Sequence, residues 1–175
     1  MAAGPEPLDL RRDGEAAGVH AVLADLVAGG AALGWVDPPS AAEVAELLDA
    51  LAVAAEAGDA SVRVVREGGH VVGVGWWRRF ARPTQRINAD IEKVAVAAHA
   101  QGRGLGRALT EALMADARTA EIEVLTLDLR GDNAVAEQHY AGLGFVEYGR
   151  LPLVVAIGER RWDSVLMLLD LRPGR

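Results

Sequence analysis

The chain has 175 residues, 51% of them apolar, which predicts a single globular domain over residues 1–175 with its own core. It contains no cysteine, which excludes disulfides and thiolate metal sites, and it lacks any uncharged apolar stretch of about 18 residues, which argues against a membrane span. The formal net charge of −7 argues against a nucleic-acid partner. Because no signal peptide is recognisable either, we expect a cytoplasmic protein.

The N-terminal third of the sequence predicts one strand followed by two helices. Pro7–Arg11 is predicted to be a short strand, and Glu15–Ala28 carries its apolar residues on one helical stripe. A loop that begins with Gly29-Gly30 follows. Ser40 then begins the second helix, with Glu43 at the spacing of a capping box, and this helix is expected to continue until Gly58.

The central part of the sequence predicts three strands and a helix. Ser61–Glu67 and His70–Arg79 flank Gly68-Gly69, and two glycines between apolar runs are typical of a β-hairpin. Asn88–Ala97 is predicted to be the next strand. A Gly-rich loop at Gln101–Gly106 leads from it into an amphipathic helix.

The C-terminal third predicts a strand at Glu123–Leu129, a short helix at Asn133–Leu143, and strands at Phe145–Tyr148 and Trp162–Leu171. We expect Leu153–Arg161 to form a lid or an interface. The whole order, β-α-α-β-β-β-α-β-α-β-β, predicts an α/β or α+β fold in which helices cover a mixed sheet.

The loop at Gln101–Gly106 is the most informative segment. It lies between a strand and a helix, and the unpaired N–H groups and positive dipole of a helix start bind anions. Its glycines allow a close approach to phosphate, and Arg103 and Arg107 add positive charge. A dinucleotide pattern counted from Gly102 fails because Arg107 replaces the third glycine, and a Walker loop fails for lack of its lysine. A helix cap without a ligand remains an alternative.

The pattern Gln-x-x-Gly-x-Gly, met by Gln101, Gly104 and Gly106, resembles the loop of the GCN5-related N-acetyltransferase (GNAT) superfamily. The downstream segment resembles the second cofactor element of that family, with Asn133, Ala136, Tyr140 and Gly144-Phe145 in register. The resemblance implies the GNAT fold, a mixed and mostly antiparallel sheet of six to seven strands flanked by about four helices. It also implies acetyl-CoA as co-substrate, with no metal.

The residues that the resemblance assigns to cofactor binding lie on the end of one strand, on the Gly-rich loop and on the second element. They are Val94, Ala95, Val96, Gln101, Gly102, Arg103, Gly104, Leu105, Gly106, Arg107, Asn133, Ala136 and Tyr140. No two histidines stand at the spacing of metal ligands, so the sequence itself also predicts no metal site.

Acyl transfer to an amine needs a base for the nucleophile and an acid for the leaving thiolate. The family places a tyrosine at the position of Tyr140 beside the CoA sulfur, which makes Tyr140 the candidate acid. Asp90 resembles the position of the family's glutamate base, and its shorter side chain suggests a bridging water. Asp128, on the adjoining strand, is the candidate partner that would raise the pKa of Asp90 and orient an ammonium. By alternation Glu92 shares the face of Asp90 and competes with it for the role of base.

These acids have an alternative interpretation as solvated groups or partners of Lys93 and Arg130. Three segments, Gly30–Trp35, Ile91–Val94 and Gly149–Pro152, look similar to the tabtoxin-resistance type of acetyltransferase, which acetylates a small amine-bearing antibiotic. In that type, acids at the positions of Asp90 and Asp128 are the proposed catalytic pair. The chain departs from this type at Asn133 and at the hairpin Gly158–Trp162.

The predicted function is direct transfer of an acetyl group from acetyl-CoA to the primary amine of a small molecule, with an amino-acid-like compound or an antibiotic as candidates. Trp35, Trp76 and Asp128 are the predicted substrate-binding residues. Trp76 and Trp77 face opposite sides of their strand, so one of them at most lines a cleft, and a strand Trp is more often a core residue. Alternatives are acetylation of a protein N-terminus or lysine, and a non-catalytic acyl-CoA sensor. A homodimer is a further expectation from the family.

Overall fold

The computed structural model describes residues 4–174. Within this range, four α-helices cover the faces of one seven-stranded sheet. The helices are α1 (Glu15–Ala28), α2 (Ala41–Glu56), α3 (Leu105–Thr119) and α4 (Ala134–Ala141). The strands are β1 (Glu6–Pro7), β2 (Ala60–Glu67), β3 (His70–Arg79), β4 (Asn88–Val96), β5 (Val124–Arg130), β6 (Val146–Ile157) and β7 (Arg160–Asp170).

The predicted order of elements and the mixed, mostly antiparallel sheet are confirmed. The strands lie in the order β1-β2-β3-β4-β5-β7-β6, and all neighbours are antiparallel except β4 and β5. The capping box at the start of α2 is also confirmed: the Ser40 hydroxyl accepts from the Glu43 N–H at 3.2 Å, and the Glu43 carboxylate accepts from the Ser40 N–H at 2.8 Å. No helix in residues 4–174 combines the length and apolarity needed to cross a bilayer.

Two predicted strands are wrong in their extent. The first was expected over Pro7–Arg11, but only Glu6–Pro7 pairs with β2, because the chain turns at Asp9. The Asp9 carboxylate accepts from the Arg11 N–H at 3.0 Å, and this side-chain turn replaces strand pairing.

The other error concerns β6, which was expected to end at Tyr148 but continues to Ile157. Its register with β7 breaks between Leu151 and Val155, where Leu153 adopts a positive φ of 57°. Pro152 and this irregularity conceal the strand in the sequence. The segment expected to be a lid or an interface therefore belongs to the β6–β7 hairpin.

The two helical layers bury separate cores. Helices α1 and α2 pack on one face of the sheet, around residues such as Leu23, Leu48 and Trp76. Helix α3 packs on the opposite face, where Leu113 contacts a cluster that includes Phe145. The sheet between these layers carries the features that position the site.

The sheet contains a V-shaped gap between β4 and β5, which we call the wedge. These strands pair only where Asn88–Asp90 meets Val124–Thr126. Beyond that point β4 continues along β3, and β5 continues along β7, so the two strands diverge. β4 also has a bulge, since Trp76 pairs with Lys93 and Trp77 with Ile91. The extra residue, Glu92, places the side chains of Glu92 and Lys93 on the same face of the sheet.

Candidate active site

The Gly-rich loop joins β4 to α3 in the predicted setting. Gly102 and Gly104 have φ values of 73° and 79°, in the left-handed region that favours glycine. Gly104 is the N-cap of α3 and supplies no side-chain cap, so the first N–H groups of the helix remain available to an anion. The Gln101 side-chain amide donates to the Val96 carbonyl at 2.9 Å and ties the loop to the strand.

A cavity of about 660 Å³, the loop cavity, lies over this loop and the start of α4. Every residue predicted to bind the cofactor lines it except Arg103. Arg103 instead donates to the Glu67 carboxylate at 3.0 Å, outside the cavity. Asn133 caps α4 by accepting from the Ala136 N–H at 3.2 Å, which holds these two residues together at the cavity wall.

Sequence reasoning missed other residues of the loop cavity, including Arg130 and His139. The Arg130 Nε–H donates to Asp132 at 2.6 Å, and its guanidinium lies 4.7 Å from the ring of Trp162. Burial lowers the pKa of His139, and the charge of Arg107 lowers it further. Only a knowledge of the tertiary packing could have placed these residues at the cavity.

The wedge presents backbone groups of β4 to the loop cavity. The Ala97 N–H donates to the Val72 carbonyl of β3 at 2.9 Å. Because successive residues of a strand direct their N–H and C=O groups to opposite sides, those of Val96 and Val94 are directed toward the wedge. The bond from Gln101 to the Val96 carbonyl agrees with this direction.

Tyr140 stands where the loop cavity meets a second one of about 270 Å³, the wedge cavity, and it lines both. The wedge cavity is enclosed by the loop between α1 and α2, by β4, by β5 and by β6. The Tyr140 ring packs edge-on against His139 and Phe145, with centroids 4.9 and 5.4 Å away. Burial raises the pKa of Tyr140 above its usual range, so its phenol keeps its proton at neutral pH.

A third cavity of about 540 Å³, the edge cavity, lies beside the wedge cavity. Both are lined by Glu92, Leu127 and Asp128, and the edge cavity also contains Asp90. The three cavities therefore form a continuous series from the Gly-rich loop past Tyr140 to a group of carboxylates.

The three carboxylates differ in environment. Asp90 is half-buried and accepts from the Thr126 hydroxyl at 2.6 Å. Burial raises the pKa of Asp90, and the nearby charges of Asp128 and Glu92 add to this, while the bond from Thr126 opposes it. Asp128 is exposed. Glu92 accepts from the Trp76 indole N–H at 2.7 Å, so one of its oxygens is already engaged.

The two tryptophans predicted to bind substrate have different positions. Trp35 lines the wedge cavity, and its ring centroid lies 5.3 Å from the Lys93 Nζ. Trp76 is 1% exposed and belongs to the core under α1 and α2, where its indole N–H donates to the Glu92 carboxylate. Trp77 is also 1% exposed, in the core on the other face.

Comparison with known proteins agrees with this geometry. The model of the acetyltransferase (GNAT) family matches residues 31–145, which include the Gly-rich loop and α4. The chain belongs to the GNAT family. Mycothiol acetyltransferase of Tsukamurella paurometabola is 38% identical over 74 residues, which are 42% of this chain and 25% of that protein. The chain thus matches only a quarter of that relative's length.

Solved structures of acetyltransferases share the whole fold. An N-acetyltransferase from Staphylococcus aureus Mu50 superposes with a TM-score of 0.86 at 17% identity, over 98% of this chain and 99% of that one. A putative acetyltransferase from Salmonella typhimurium, solved with acetyl-CoA, has a TM-score of 0.84 at 22% identity, over 98% of this chain and 95% of that one. At such identities the likeness establishes the fold.

Within residues 4–174, no cluster of three or more His, Asp or Glu side chains could hold a metal ion.

Proposed function

We propose that this chain is an acetyl-CoA-dependent N-acetyltransferase that transfers an acetyl group directly to the primary amine of a small molecule. The observation that carries the proposal is the continuity of the loop cavity with a carboxylate-lined cavity at Tyr140. The helix start at one end suits the phosphates of the acetyl donor. The buried phenol in the middle suits the acid, and the carboxylates at the other end suit the base.

The chain offers two kinds of group to acetyl-CoA, which would supply the acetyl group as a thioester. The uncapped start of α3 and the nearby Arg107 suit its pyrophosphate. The wedge-facing backbone of Val94 and Val96 suits the amides of its pantetheine arm, as an added strand would. Both groups line the cavity that leads to Tyr140.

Transfer forms the bond between nitrogen and the acetyl carbon and breaks the thioester C–S bond. The acceptor ammonium loses two protons, which pass through a base to solvent, and the departing sulfur gains one proton from an acid that solvent then reprotonates. Asp90 suits the base because its raised pKa brings it closer to neutral pH than an ordinary aspartate. Tyr140 suits the acid, since it stays protonated and regains its proton from solvent.

Asp128 suits a different task. It is exposed to the cavities, on the face of β5 that also carries Thr126, and can attract the acceptor ammonium before Asp90 removes a proton. The small volume of the wedge cavity favours a small acceptor over a peptide chain. The resemblance to the tabtoxin-resistance type supports the same choice.

The proposal is tested by measuring free thiol release from acetyl-CoA with a panel of amines, amino acids, antibiotics and peptides. We expect release with at least one small amine, and formation of the matching amide by mass spectrometry. Release with peptides alone would replace the small-molecule acceptor by a protein. The absence of both thiol release and measurable acetyl-CoA binding would refute the proposal altogether.

Gly106→Ala is expected to weaken acetyl-CoA binding by about 30-fold, which corresponds to about 2 kcal/mol. Gly106 lies in the first turn of α3 with an ordinary φ, and an added Cβ would meet only Val96 Cγ2 at 3.9 Å. The helix therefore tolerates alanine, while the methyl group would keep a phosphate from the backbone. Gly104 is a poorer target because its positive φ would strain any side chain.

Isothermal titration of acetyl-CoA and the midpoint of thermal unfolding measure the two effects of Gly106→Ala. Gly149→Ala is the matched control, since its Cβ would make an ordinary 3.5 Å contact with Leu166 outside the loop cavity. Unchanged affinity in Gly106→Ala, with the fold intact, would show that the phosphate lies elsewhere.

A further inference from the structure

Lys93 lines the wedge cavity but takes no part in the proposed transfer. The bulge in β4 directs it toward α1 and α2, and its Nζ lies 5.3 and 5.9 Å from the ring centroids of Trp35 and Trp76. The Nζ donates to the Glu92 carbonyl at 3.0 Å. The ammonium is thus held in place on the wall of the cavity.

Lys93 is also the only lysine of the chain, since the other 17 of its 18 basic residues are arginines. Lysine differs from arginine in presenting a compact ammonium with three donors instead of a wide planar fork. In a small cavity, the compact ammonium of a lysine can bind an anion and still leave room for it, whereas the wider guanidinium of an arginine would fill more of the space.

The ammonium lacks a close anionic partner. Across residues 4–174, no carboxylate oxygen lies within 4.0 Å of the Lys93 Nζ, and the bond to the Glu92 carbonyl uses only one of its three donors. Burial lowers the pKa of Lys93, although the more distant charges of Glu92 and Asp128 oppose this. A cation removed from water without hydrogen-bonded pairing is costly, so its remaining donors suit an anion that enters the cavity.

Arg130, the other cation of the wedge cavity, is already engaged. Its Nε–H donates to Asp132 at 2.6 Å, and its guanidinium stacks 4.7 Å from the Trp162 ring. The cavity therefore combines one available cation, Lys93, with the carboxylates of Asp128 and Glu92. Glu92 is engaged by the Trp76 indole N–H and by Arg78, which leaves Asp128 as the available carboxylate. The volume of this cavity, about 270 Å³, lies just below the range of roughly 300–1,000 Å³ that is usual for ligand sites, which favours a small acceptor.

We propose that the acceptor is a small zwitterion, an α-amino acid or a close analogue, whose acidic group is bound by Lys93 while Asp128 attracts its ammonium. This inference rests on the proposed acetyl transfer and adds the substrate class. Lys93 is a specificity-determining residue in this arrangement. Anchoring of the acidic group at Lys93 fixes one end of the acceptor, and the amine at the other end lies in the cavity shared by Asp128 and Tyr140.

The test compares each proteinogenic L-amino acid with its own carboxamide in the thiol-release assay. The unmodified chain should use at least one amino acid with a kcat/KM about 30-fold above that of its amide, as expected for a charge-assisted hydrogen bond. In Lys93→Met the preference should vanish, because the kcat/KM for the acid falls about 30-fold, mainly through KM, while that for the amide changes less than about threefold. Lys93→Arg should keep a preference for the acid, since the charge remains.

Arg118→Met is the matched control, because it removes one positive charge from the exposed end of α3 outside the three cavities. It should leave the preference unchanged. Equal use of acids and amides by the unmodified chain, or equal loss of both in Lys93→Met, would overturn the zwitterion while leaving acetyl transfer intact. Absence of thiol release with every amine would overturn the proposed function itself, and this inference with it.

Discussion

Asp90→Asn is expected to lower kcat for acetyl transfer by about 100- to 10,000-fold, the range for loss of a general base. The asparagine oxygen can still accept from the Thr126 hydroxyl, which lies 2.6 Å from Asp90, so the local geometry should persist. It cannot take up a proton. Affinity for acetyl-CoA should stay within about threefold, because Asp90 lies outside the loop cavity.

The same substitution should stabilise the protein at neutral pH. Burial raises the pKa of Asp90 in the folded state, so its contribution to stability is complete below the ordinary value of 3.8 and is lost as the pH rises through the raised value. Asn does not ionise and avoids this loss. The unfolding midpoint of the variant should therefore exceed that of the unmodified chain at pH 7, and the difference should disappear in acid.

The pH dependence of kcat provides a second measurement for Asp90. In the unmodified chain, kcat should fall as the pH drops through the raised pKa of Asp90, and the residual activity of Asp90→Asn should lack this step. Asp49→Asn, on the exposed face of α2, is the matched control. Full turnover in Asp90→Asn would transfer the role of base to Asp128 or Glu92. Absence of turnover in the unmodified chain, with acetyl-CoA still bound, would favour a sensor.

Tyr140→Phe should lower kcat by about 100- to 1,000-fold, because the departing thiolate would lose the proton donor that we propose. Phenylalanine keeps the edge-on packing against His139 and Phe145, and it removes a hydroxyl from a residue that is only 7% exposed. The unfolding midpoint should therefore not fall. Single-turnover measurements separate this chemical step from donor binding, which should be unchanged.

The outcome for Tyr140→Phe also decides between two roles for the residue. If the phenol is the acid, kcat falls and the dissociation constant of acetyl-CoA stays constant. If Tyr140 only packs α4 against the sheet, neither quantity changes. Loss of donor affinity without loss of kcat would place the phenol at the cofactor, away from the reacting sulfur.

The sequence predicted those parts of the fold that depend on local signals. The capping box of Ser40 and Glu43 and the hairpin glycines Gly68-Gly69 act within a few residues, so they determine where α2 begins and how β2 turns into β3. The long β6 escaped prediction because its irregularity at Leu153 is tolerated only by pairing with β7. Such pairing depends on a distant part of the chain.

In the site, too, the sequence predicted what depends on neighbouring residues and not what depends on distant parts of the chain. Alternation along β5 correctly placed Asp128 on the face of Thr126, opposite the buried Leu127. Alternation fails along β4, where the bulge turns Lys93 to the face of Glu92. The sequence could have drawn attention to Lys93, because it is the only lysine among the 18 basic residues. The burial of Trp76, by contrast, depends on the packing of α1 and α2.

The wedge between β4 and β5 also determines where the chain can be divided. The part ending with α3 and the part beginning with β5 share few backbone bonds in the sheet, and Glu121 in the turn between them has a positive φ of 57°. Cleavage there would separate two fragments that meet along the loop cavity and the shared core. If acetyl-CoA binds as proposed, it would contact both fragments and favour their reassembly. The chain thus offers a basis for a split reporter whose signal follows the concentration of acetyl-CoA.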